Sequence, residues 1–114
     1  MKPRMVIVRA DGRLTAQELT DRPTLEELQG LVGGHIELVR HFDRLEGRPC
    51  VAFCREQGKL LGLPFNRIAT VLWRLHLGIS MKHMPDALVG DIVIIQGDEE
   101  LLRDCEALAS VSSR

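Results

Sequence analysis

The residues of this chain best placed to do chemistry lie in the stretch "GKLLGLPFNRIATVLW", Gly58 to Trp73. A helix that starts after Asn66 puts Arg67, Thr70 and Arg74 in one stripe. Arg67 then stands in the first turn, where unbonded N–H groups and the helix dipole already favour an anion. Lys59 lies close in sequence, and Gly62 allows a ligand or another backbone to approach. The chemistry on offer is recognition of a carboxylate, a phosphate or an acidic partner surface. The competing structural reading is that Asn66 and Pro64 only start the helix and that Arg67 pairs with an acid of its own chain. Trp73, the sole tryptophan, either closes the edge of the core or anchors a partner. The candidate binding residues are therefore Arg67, Arg74, Asn66, Lys59 and Trp73.

Other constellations offer less. Cys50 and Cys54 point the same way on a strand but lie about 13 Å apart at ~3.3 Å per residue. That span is too long for one zinc or for a disulfide, so buried apolar thiols are expected and no metal is assigned. Four histidines are scattered along the chain. No nucleophile elbow, zinc-protease helix or phosphate loop surrounds any candidate nucleophile. Asp98, Glu99 and Glu100 sit where a helix start favours negative charge. The reading leans away from catalysis and implies no cofactor.

These groups need a frame to hold them. A 114-residue chain that is 45% hydrophobic and 27% charged fits one domain over 1–114 with an aliphatic core. Aromatics make up only 4%, too few for base-stacking platforms. The formal net charge of −1 does not drive the chain onto nucleic acid or an acidic membrane. The distribution is uneven. Residues 1–54 hold 8 basic and 8 acidic side chains, 55–85 hold 5 and 1, and 86–114 hold 2 and 7. Compensation within the fold is the expected outcome. With no signal-like or membrane-spanning run, a cytoplasmic location is expected.

Asp11-Gly12 marks a hairpin between strands near 4–9 and 13–19. Thr24 and Glu27 have capping-box spacing ahead of a helix that Gly33-Gly34 ends. "HIELVRHF", 35–42, alternates as a strand, with Ile36, Leu38 and Phe42 on one face. "CVAFC", 50–54, is a short strand, and Leu60 and Leu61 add a few extended residues. The helix after Asn66 buries Ile68, Val71, Leu72 and Leu75 and stops at Gly78, with an irregular loop beyond it. "LVGDIVIIQG", 88–97, is a central strand, and Asp98 caps a last helix with Leu101, Leu102, Cys105 and Leu108 inward. This order predicts an α+β domain: a mixed sheet of about four or five strands, with two or three helices mainly on one face.

"LVGGHIE" at 31–37, "GKLLGLPFNRIAT" at 58–70 and "LVGDIVIIQG" at 88–97 together resemble an uncharacterised domain-of-unknown-function family. It comprises small proteins of phages, plasmids, integrated elements, and actinobacterial and other bacterial genomes. The resemblance spans roughly 24–97. It implies one α+β domain in a mobile-element context and no established activity. Gly33, Gly34, Gly62, Pro64, Asn66, Arg67, Gly90 and Asp91 match its recurrent positions. Turns and caps demand most of these residue types, but nothing in helix initiation demands arginine at 67.

Two functions follow as expectations. One is a small non-enzymatic accessory protein of phage or mobile-element type, acting by contact with a host or element protein, counter-defence included. The alternative is a protein that binds or sequesters an anionic small molecule, or a small enzyme without a recognisable motif. A homodimer through sheet edges or helices fits either.

Overall fold

The computed structural model describes residues 2–77 and 86–112. Strands β1 (Arg4–Val8) and β2 (Leu14–Glu18) form a hairpin through Asp11 and Gly12, whose φ of +97° is open to glycine at no steric cost. Helix α1 (Leu25–Val32) follows, then β3 (Ile36–Leu38), β4 (Arg44–Leu45) and β5 (Arg48–Arg55). Helix α2 (Arg67–Leu77), β6 (Ile92–Gln96) and α3 (Glu99–Ser112) complete the order. The sheet runs β2-β1-β6-β5-β3, with β4 on the other half of β5. The α+β class is as expected. The mixed sheet is corrected: all described pairings are antiparallel, across six strands.

Alternation on the central strands builds two aliphatic layers. Met5, Ile7, Val51, Phe53, Val93 and Ile95 face α1 and α3. Val6, Val8, Cys50, Ala52, Ile92 and Ile94 face α2 and the 39–45 segment. Two helices thus cover one face and one covers the other. β6 is buried along its whole length, as a strand covered on both sides requires.

Local signals act as their chemistry dictates. Thr24 Oγ1 accepts from the Glu27 N–H at 3.1 Å, and the Gly33 N–H returns to Gln29 O with φ at +89°. Asp98 Oδ1 accepts from the Leu101 N–H at 2.9 Å. All four apolar residues expected on α3 pack into the first layer.

Several expectations need correction. The strand read over 35–42 ends at Leu38, because His41 takes a φ of +62° and carries Phe42 under the opposite face. Leu60 and Leu61 are not extended but lie in turns closed by Leu61 N–H to Gln57 O and Gly62 N–H to Lys59 O. The strand read over 88–97 begins at Ile92, since Gly90 at φ +73° breaks it. The Gly78 stop and most of the loop after it lie outside the described residues.

Charge compensation takes an unexpected route. Arg22 pairs with Glu100 and Asp104, and Arg103 pairs with Glu99. The acidic last helix is thus balanced by Arg22 and by itself, and Lys59 of the basic middle reaches a tail carboxylate, Asp86.

Gly90 and Gly30 are opposite cases. A Cβ on Gly90 would meet Leu63 Cδ1 at 2.9 Å with φ already positive, whereas Gly30, in α1, has nothing within 4 Å. Gly90→Ala should lower unfolding free energy by about 2 kcal/mol, and Gly30→Ala should raise it by about 0.5–1 kcal/mol. Urea unfolding of the two variants checks both signs.

Candidate functional site

Residues 64–66 and 88–90 run side by side. The Asn66 N–H donates to Leu88 O at 2.8 Å, the Gly90 N–H donates to Pro64 O at 2.7 Å, and Phe65 bridges Val89. In this extended piece neighbouring side chains alternate. Asn66 turns inward and is fully buried, while Phe65 and Arg67 turn outward.

The Asn66 amide is used up within the fold. Nδ2 donates to Val8 O at 2.8 Å and to Gly90 O at 2.9 Å, and Oδ1 accepts from the Ala69 N–H at 3.0 Å. It acts as the expected N-cap, and it also joins the ends of β1 and β6, so no ligand contact is left to it. Asp91 works beside it: its carboxylate accepts from the Ala10 N–H and from Arg9 Nη1.

The buried stripe of α2 is rotated from the one expected. Ala69, Thr70 and Trp73 are buried, and Leu75 is 74% exposed. Thr70 Oγ1 accepts from the Leu88 N–H at 3.0 Å, which draws that side of the helix inward. Trp73 packs in the second layer, and its indole N–H donates to Arg40 O at 3.0 Å. It therefore closes the core.

The candidate cations separate. Arg74 is half-buried, with Nη2 donating to Asp86 O at 2.9 Å. Lys59 is exposed and paired with the Asp86 carboxylate. Arg67 is exposed, with no side-chain partner among the described residues. The stripe Arg67–Thr70–Arg74 is thus not a common anion surface, and only Arg67 presents its guanidinium to solvent.

A cleft of about 420 Å³ opens where β3, the β5–α2 turn and residues 86–89 meet. Lys59 and Trp73 line it, whereas Asn66, Arg67 and Arg74 do not. Its charged lining is balanced: Arg40, Arg55 and Lys59 against Glu37, Glu56 and Asp86. Sequence reasoning missed Leu60, Leu61 and Phe65, which are 87%, 52% and 51% exposed. The available signal was three large apolar residues in a stretch broken by glycine and proline, where turns favour polar types.

Cys54 also lines the cleft, and burial pushes its thiol up to about 11, with the Glu37 carboxylate adding to the rise and Lys59 opposing it. Burial pushes Cys50 up to about 12 and Cys105 to about 11. Each thiol holds its proton at neutral pH and is a weak nucleophile. Among the described residues no three His, Cys, Asp or Glu side chains come together as a metal site. No described helix is long and apolar enough to cross a membrane.

Asn66→Ala removes three buried hydrogen bonds, to Val8 O, Gly90 O and the Ala69 N–H, and should cost about 3 kcal/mol, against a change within about 0.5 kcal/mol for the exposed Arg67→Ala; chemical denaturation of both reads the contrast. The folded thiols keep protons that an unfolded chain releases near its ordinary value of 9.0. The unfolded state then binds fewer protons, so their stabilising contribution is complete below pH 9 and is lost as pH rises toward 11–12. Alkylation of folded Cys54 at pH 8 should run about a hundredfold slower than that of a free thiol, as mass spectrometry will show.

No curated protein and no solved structure matches the chain. One family matches across residues 1–107, spanning the Asn66 junction, the cleft and both layers of the core. The chain belongs to that family, described as Domain of unknown function (DUF3846).

Proposed function

We propose that this is a non-catalytic accessory protein that docks another protein through the connection between β5 and α2. The observation that carries the reading is the exposure of Leu60, Leu61 and Phe65. Only six large apolar residues are exposed among those described, and these three fall within six positions of one another. Leaving a side chain of this size in water forgoes about 1.5–3 kcal/mol of burial. Exposed apolar groups rimmed by polar ones mark contact sites. Arg67 and Lys59 supply that rim, and the adjoining cleft has room for a partner side chain to insert.

The partner this chemistry suits presents apolar groups beside a carboxylate, which would meet Arg67. We place the protein among cytoplasmic accessory factors of phages and mobile elements, with a host or element protein as its partner and counter-defence as one such role. A small anionic ligand is the second reading. It is favoured by the Arg40 and Arg55 side chains, which line the cleft without a described partner, and opposed by the three carboxylates around them.

Affinity purification from bacterial cells tests the reading. Wild-type protein should recover a defined partner in stoichiometric amount. Leu60→Asp with Phe65→Asp should lose it while unfolding at the wild-type temperature, and Arg67→Glu should weaken it at least tenfold. A partner kept by the folded double variant overturns this surface. Loss on Arg40→Ala with Arg55→Ala, together with a small bound anion identified by mass spectrometry, would favour the ligand reading instead.

A further inference from the structure

The two edges of the sheet are treated differently. At the β3 edge the Ile36 N–H, turned away from β5, donates to Ser112 Oγ at 2.8 Å, and the same oxygen accepts from Gln29 Nε2 at 3.0 Å. Ser112 is buried, so the end of α3 closes that edge. At the β2 edge the pairs Arg9 N–H to Arg13 O and Leu19 N–H to Pro3 O fix residues 13, 15, 17 and 19 toward β1. The N–H and C=O groups of Leu14, Ala16 and Glu18 therefore point away from the sheet. Among the described residues nothing bonds to them.

All five residues of β2 are exposed. Natural edges are blunted by proline, bulges, covering segments or repeated charge. β2 has no proline, pairs with β1 without a bulge, and carries one charge, Glu18, at its end.

We propose that this bare edge is a homodimer interface, with β2 of a second copy adding antiparallel about a two-fold axis through Ala16. In that register Ala16 faces Ala16, Leu14 faces Glu18 and Thr15 faces Gln17. Each outward N–H at 14, 16 and 18 meets an outward carbonyl of the other copy. No like charges oppose each other within the strand, and the residue on the axis is small. Sliding the copies to centre the axis on Glu18 would set two carboxylates face to face, and centring it on Leu14 leaves most of the strand unpaired. The self-complementary register is what selects a second copy over an unrelated strand. The paired sheet runs continuously from one β3 to the other, because β2 lies at the opposite end from β3. Both β5–α2 connections stay at the outer ends, free for partners. A five-residue ladder belongs to the smallest class of interfaces, so the dimer dissociates at micromolar concentration.

Sedimentation over a concentration series from micromolar upward tests the inference, with a wild-type shift from monomer to dimer expected. Ala16→Pro deletes an N–H that β1 does not use and should leave a folded monomer throughout. Ala16→Cys supplies an independent readout. Its two copies would sit about 5.5 Å apart between Cα atoms, within disulfide reach, and should cross-link under mild oxidation, while wild-type protein, whose cysteines lie in or against the core, should not. A wild type that stays monomeric, a folded Ala16→Pro that still dimerises, or an Ala16→Cys that stays uncross-linked in dimeric samples overturns the proposal.

Discussion

One buried carboxamide sets the geometry of the molecule. Asn66 ties the end of β1, the start of β6 and the first turn of α2 to a single side chain, through Val8 O, Gly90 O and the Ala69 N–H. An apolar side chain there would remove all three of these buried hydrogen bonds, and aspartate would bring negative charge against the two carbonyls. The alternation of an extended segment then does the rest. Because Asn66 points in, Phe65 and Arg67 point out, so the exposed apolar and cationic groups follow from the same constraint that seats the helix.

The positions on which the resemblance to the family rests separate on this basis. Gly90 lets the chain turn against Leu63, Asp91 binds the end of β1, and Gly34 leaves room for the Arg55 guanidinium, which a Cβ would meet at 2.7 Å. Gly33 caps α1. These residues encode fold. Arg67 alone among the polar ones has no structural task in the described chain, and it stands beside the apolar groups the fold leaves in water. The two sheet edges show the same division, one finished by Ser112 and the other left open at β2.

What was legible in the sequence was local. The capping box at Thr24 and Glu27, the turn at Asp11-Gly12, the Gly33 stop and the Asp98 cap each depend on residues within a few positions, so spacing alone reveals them. The class followed from the order of such segments. What was not legible depends on distant partners. Asn66 is recognisable from its neighbours as a helix start, but its bond to Val8 O crosses 58 residues. The inward side of α2 is decided by Thr70 reaching Leu88 and by Trp73 reaching Arg40. Hydrophobic periodicity favoured Leu75 over both, and it carries no information about hydrogen bonds made across the fold. Ser112 lies beyond the apolar residues that mark the last helix, yet it is buried against β3 and α1.

The side-chain amide protons of Asn66 report on the central claim directly. Amide-resolved hydrogen exchange by nuclear magnetic resonance, run alongside an unfolding titration, compares their opening free energy with that of the whole domain. If this amide joins the two strands and the helix, both protons exchange only through global unfolding, with the same denaturant dependence as the core amides of β6. Exchange through a local opening well below the global value would contradict the account.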